Sequence, residues 1–120
     1  MQEHKLFDAE YKMMDLIWQH EPIPSPELIQ MCEERFGWKK STTFTQIRRM
    51  VDRGFVKNEK TILTTLVKRS QVEQYDSEEV VDGRFGGSLP KFVTAFMESK
   101  RMTQEDIDEL RRILDSYEGE

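Results

Sequence analysis

Apolar positions recur at helical spacing in several stretches of the chain, parted by prolines, glycines and one pair of short β-rich runs. Over Asp8–Gln19 (DAEYKMMDLIWQ), Ala9, Met13, Leu16 and Ile17 fall on one face, and Met14 and Trp18 widen it. That spacing predicts an amphipathic helix. The prolines of Glu21–Pro26 (EPIPSP) end it. Ser25 has the chemistry of an N-cap for a second helix, and Pro26 suits its first helical position. Leu28, Cys32 and Phe36 repeat at i, i+4 and i+8, and Gly37 closes the pattern.

A third helix is predicted from about Ser41 to Arg53. Phe44, Ile47, Met50 and Val51 form its apolar face, and Thr42, Gln46, Arg49 and Arg53 gather opposite, with Thr45 at the edge. Gly54 stops it. The runs FVKNEK and TILTTLV that follow are rich in Val, Thr, Ile and Leu and predict a hairpin with a tight turn near Glu59–Thr61.

The remainder reads as helical. Residues 70–85 carry only a weak apolar pattern, Val72, Tyr75 and Val80, and Gly86–Gly87 breaks it. Ser88–Glu98 is strongly patterned, with Leu89, Phe92, Val93, Phe96 and Met97 at i, i+3, i+4, i+7 and i+8. Thr103 and Asp106 form a capping-box-like start for a last helix bearing Ile107, Leu110, Ile113 and Leu114. The expected fold is mainly α with a small β-hairpin wing. A winged helix-turn-helix domain spans residues 1–69, and a helical domain follows over 70–120. Three short helices and then a hairpin is the order of a winged helix, in which the third helix enters the major groove. The C-terminal helices, with no sheet and no third layer, cannot easily bury their stripes alone; they either pack back onto the first domain or pair with a second chain, and the wide stripe Leu89–Met97 favours pairing.

Charge sharpens this division. The formal net charge is -5. Yet the segment 39–69 holds Lys39, Lys40, Arg48, Arg49, Arg53, Lys57, Lys60, Lys68 and Arg69 against Asp52 and Glu59 alone. The segments on either side are net acidic. Such segregation suggests a polyanion partner for the middle of the chain.

Other chemistry is sparse. His4 and His20 have no nucleophile or carboxylate at a telling spacing, and no phosphate-cradling glycine loop or catalytic signature occurs. An enzyme is not expected. The lone Cys32 with two scattered histidines does not make a metal site, so no cofactor or metal is expected. Cys32 reads as a small core hydrophobe. The absence of a long apolar run or a signal-like start favours a cytoplasmic protein.

The candidate DNA contacts are Lys39, Lys40, Thr42, Thr43, Thr45, Gln46, Arg49 and Arg53, with Lys57 and Lys60 on the wing. A helix N-terminus with lysines favours phosphate oxygens. Gln bonds an adenine edge, Arg a guanine edge, and a Thr methyl packs on a thymine methyl. The competing reading is a winged helix that docks an acidic protein through the same face.

Three stretches carry a family resemblance. LFDAEYKMMDLIW resembles the first helix of the BlaI/MecI penicillinase-repressor family, itself related to the copper-responsive CopY repressors. WKKSTTFTQIRRMVDRGFV resembles its recognition helix, and FGGSLPKFVTAFMESKRMTQEDIDELRRIL its dimerisation region. The similarity runs from about residue 6 to 117. It implies a homodimeric transcriptional repressor on a palindromic double-stranded operator, with Thr42, Thr45 and Arg49 at DNA-facing positions. It places Leu89, Phe92, Val93, Phe96, Met97, Ile107, Leu110, Ile113 and Leu114 in a dimerisation region. In antibiotic-responsive members a membrane sensor triggers cleavage of an Asn–Phe bond. The matching pair here is Lys91–Phe92, so lysine replaces the asparagine of that site. The cysteine cluster of the copper-responsive branch is missing. The short hairpin and the poorly matching segment 70–83 also depart from the family pattern.

Overall fold

The computed structural model describes residues 4–117. Its elements run α1 (Asp8–His20), β1 (Ile23–Pro24), α2 (Ser25–Phe36), α3 (Lys40–Asp52), β2 (Val56–Glu59), β3 (Ile62–Thr65), α4 (Arg69–Arg84), α5 (Leu89–Met97) and α6 (Gln104–Ser116). The chain forms two compact units that part between Ser77 and Glu78, inside α4. That is later than the division expected at residue 70. The reason is Val72, which is fully buried in the core of the first unit.

In the first unit, α1, α2 and α3 pack over a small antiparallel sheet of order β1-β3-β2. Met13, Met14, Leu16 and Ile17 of α1 meet Leu28, Ile29 and Cys32 of α2, Ile47 and Met50 of α3, and Phe55, Val56 and Leu63 of the sheet. Each helix presents these residues every three or four positions, so the apolar stripes close on one another. Strand β1 was not expected. It pairs Ile23 with Leu63 and Pro24 with Ile62 at the free edge of β3. Proline is tolerated there because an edge strand has a side that needs no donor.

Ser25 is not an N-cap. It is the first residue of α2, buried, and its N–H donates to the Thr61 carbonyl at 2.7 Å. This bond ties the start of α2 to the tip of the wing. At that tip Lys60 and Thr61 both have positive φ, 53° and 67°. A two-residue hairpin turn with both φ values positive matches the twist of the strands it joins. Asn-Gly is the usual sequence for it, so Lys-Thr is held there by its surroundings. Gly37 ends α2 at φ 70°, where a Cβ would be strained.

Polar bonds fix the edges of the unit. Trp18 Nε1 donates to the Val67 carbonyl at 3.0 Å, and Thr65 donates twice to the Glu21 carboxylate, at 2.7 Å from its N–H and 2.8 Å from its hydroxyl. Arg69 donates to Asp15 at 2.6 Å and lies 4.8 Å over the Trp18 ring. The Asp15 hydrogen bond stabilises its charged form and raises its pKa further.

The second unit is built differently. Ser88 caps α5 by accepting the Lys91 N–H at 3.1 Å. Thr103 and Asp106 form the expected capping box on α6, with bonds of 3.0 and 3.1 Å. Among the described residues of this unit none is buried. Phe92, Val93, Met102 and Ile107 are half-buried, and Phe85 stacks edge-on against Phe92 at 5.2 Å. Leu89, Phe96, Met97, Leu110, Ile113 and Leu114 are exposed. An apolar groove of about 340 Å³ runs between α5 and α6, lined by Phe92, Val93, Phe96, Met102 and Leu110 among others.

Candidate nucleic-acid interface

The face that α3 shows to solvent is set by which of its residues enter the core. Thr43, Ile47 and Met50 are buried, and Gln46 is half-buried beside them. At 100° per residue this leaves Ser41, Thr42, Thr45, Arg48, Arg49 and Asp52 outward. The apolar face is thus rotated from the one expected. Phe44 and Val51 are exposed, and Thr43 takes the core position.

Several candidate contacts change with that rotation. Thr43 is fully buried and leaves the surface. Its hydroxyl has no well-formed hydrogen bond among the described residues. Burial pushes the Cys32 thiol pKa up, and the neighbouring Thr43 hydroxyl opposes that shift without overcoming it. Cys32 is fully buried and is a core residue, as its spacing suggested. The Oε1 atom of Gln46 is buried and unpartnered, so the amide does not present its carbonyl outward. Arg53 is bound within the fold, donating to Glu10 at 3.0 Å and to the Lys5 carbonyl at 2.6 Å. Its guanidinium covers the Phe55 ring at 4.8 Å.

Lys39, Lys40, Thr42, Thr45, Arg49, Lys57 and Lys60 are exposed. Lys39 and Lys40 stand at the start of α3, where the helix N–H groups also point outward. The Thr45 hydroxyl donates to the Ser41 carbonyl at 3.0 Å, which turns its methyl away from that bond. On the wing, Lys57 pairs with Glu59 at 3.5 Å, and both side chains are at least half exposed. A solvated pair of that kind is worth about 0–1 kcal/mol and yields readily to a better anion.

Arg48 was missed by the sequence reading. It lies near the centre of the outward face, is exposed, and has no ion pair among the described residues. The signal that would have found it is the core position of Thr43, which rotates the whole wheel. Ser41 belongs to the face for the same reason. The surface therefore offers hydroxyls, guanidinium groups and lysines over α3 and the wing, with Asp52 as the outward carboxylate of α3.

Among the described residues no group of three or more metal-binding side chains occurs. No described helix is long and apolar enough to cross a membrane.

The family model described as "Penicillinase repressor" matches residues 6–116. The chain belongs to that family. It is 25% identical over 119 residues to the penicillinase repressor of Bacillus licheniformis, covering 96% of this chain and 93% of that protein. It is 26% identical over 115 residues to the methicillin resistance regulatory protein MecI of Mammaliicoccus sciuri, covering 92% and 94%. The family's DNA-binding domain also supplies the structural likeness. The solution structure of the DNA-binding domain of the repressor BlaI matches with a TM-score of 0.54 at 25% identity, covering 59% of this chain and 93% of that one. The monomeric form of BlaI from B. licheniformis, solved in complex with the blaP half-operator, matches with a TM-score of 0.53 over the same shares. A winged helix is thus the fold of the first unit.

Proposed function

We propose that this chain is a DNA-binding transcriptional repressor that acts in the cytoplasm as a homodimer on a palindromic operator. The observation that carries the reading is the outward face of α3. Thr42, Thr45, Arg48 and Arg49 stand together there on a helix whose other side is locked into the core. Ser, Thr and Arg are residues that read base edges, and the lysines at the helix start and on the wing suit phosphates. BlaI, a relative in fold and family, has been solved on half-operator DNA, which supports the same use of this face.

Dimerisation is supported by the second unit, whose apolar residues on α5 and α6 have no core of their own among the described residues. Joining two winged helices multiplies the affinity of one, so the second unit would supply avidity while α3 supplies reading. Repression is steric in this scheme, and loss of the dimer relieves it. A sensor-linked protease cutting at Lys91–Phe92 would sever α5 within its first turn and so release the operator.

One observation favours a rival. Phe44 and Val51 are exposed on α3, and Ile62 and Leu66 on or near the wing, which gives a protein-docking module some apolar surface. Selection of bound duplexes from a random pool separates the two. A repressor enriches one palindrome and loses affinity steeply as salt rises. Failure to enrich any sequence at moderate salt would favour the docking module.

A further inference from the structure

Glu10 is an acidic side chain buried to 2% exposure in the first turn of α1. Burying a carboxylate is costly unless it is paired and hydrogen-bonded. Oε1 accepts the Phe7 N–H at 2.9 Å and Arg53 Nη1 at 3.0 Å. Oε2 lies 3.7 Å from Arg49 Nη1. The two arginines differ in what they have left. Arg53 is also bound to the Lys5 carbonyl and packed on Phe55. Arg49 keeps 52% of its side chain exposed and meets Glu10 through Nη1 alone, at ion-pair rather than hydrogen-bond distance.

We propose that Glu10 is a positioning residue for Arg49, fixing its guanidinium at one place on the reading face of α3. The inference rests on the DNA-binding reading above. An arginine side chain loses considerable rotamer freedom when it is ordered, and a planar guanidinium reads a base edge only in a narrow range of orientations. A carboxylate behind the group orders it before DNA arrives, so less freedom is lost on binding. Arg48, the adjacent position on the same face, is exposed and has no such carboxylate among the described residues, so nothing there would hold it in one orientation. Removing the grip on Arg49 should make it behave like Arg48. It would then hold phosphates of any sequence, and discrimination would fall.

The test uses the full chain and the ratio of affinities for the selected duplex and a scrambled duplex of equal length. The ratio cancels the uniform gain from deleting a negative charge. Glu10→Gln should lower it about tenfold in the native background and leave it unchanged in an Arg49→Ala background. A purely structural Glu10 would lower both equally, and that result, or no change in either, overturns the proposal. A native protein with no duplex preference at all overturns the DNA reading itself, and with it this role. NMR of the arginine Nε–H groups in the native chain decides the matter even where Glu10→Gln does not fold. Arg49 should be markedly more ordered than Arg48. Equal mobility of the two would sink the idea.

Discussion

The two compact units of this chain solve the burial problem in opposite ways. The first closes Met13, Met14, Ile17, Leu28, Met50, Phe55 and Leu63 into a core with almost no solvent contact. The second has helices of comparable length and stronger amphipathic pattern, yet buries no residue among those described. Apolar stripes as wide as that of α5 are expected to be covered, because exposed contiguous patches mark interaction sites. The contrast is one of burial: the first unit closes a core, and the second leaves its apolar stripes uncovered among the described residues. The second carries apolar surface that, in the dimer proposed above, a second chain would cover.

The comparison breaks first at the core. Phe55→Ala should destabilise the first unit by about 3–5 kcal/mol, the usual cost of emptying a fully buried aromatic site. Chemical denaturation followed by tryptophan fluorescence would read it, since Trp18 and Trp38 both pack against that core. Loss of less than about 1 kcal/mol would mean that Phe55 is not a core residue.

Next is the interface. Leu110→Asp places a charge on the α5–α6 groove. It should shift the chain to monomer in sedimentation and weaken operator binding about a hundredfold, because two linked half-sites become one. Far-UV circular dichroism should stay near native. An unchanged dimer would place the interface elsewhere.

The smallest effects concern individual contacts. Arg49→Ala should cost about 1–3 kcal/mol at one operator position, where its guanidinium meets a base edge, whereas Arg48→Ala should weaken all duplexes alike. Lys57→Ala should weaken all duplexes alike and lower the salt slope by about one ion. Equal losses across sequences for Arg49→Ala would assign it to phosphates as well. These changes should leave the unfolding midpoint almost unmoved, in contrast to Phe55→Ala, because the side chains lie outside the core.

Much of this architecture is legible in the sequence, for identifiable reasons. The order of helices and hairpin follows from apolar spacing and from Gly37 and Gly54. The stripes of α5 and α6 are regular enough to be read directly. The phase of α3 was not legible. Its apolar residues Phe44, Ile47, Met50 and Val51 suggest one face, but the buried face is centred roughly 50° away, on Thr43, Ile47 and Met50. Threonine can be buried through its methyl, and hydrophobicity alone does not foresee it. That single shift hid Arg48 and misplaced Thr43 and Gln46. Strand β1 escaped because two residues, one of them proline, carry no alternation. The grip of Glu10 on Arg53 spans 43 residues of sequence and leaves no local signal.

Sequence-specific binding of DNA by two copies of the chain is the central property to measure. Sedimentation equilibrium of the full chain with its best selected palindrome, and with a scrambled duplex, measures stoichiometry and preference together at 0.15 M salt. A dimeric repressor gives two chains per palindrome and an affinity at least about a thousandfold above that for the scrambled duplex. One chain per duplex, or equal affinity for both duplexes, would contradict it.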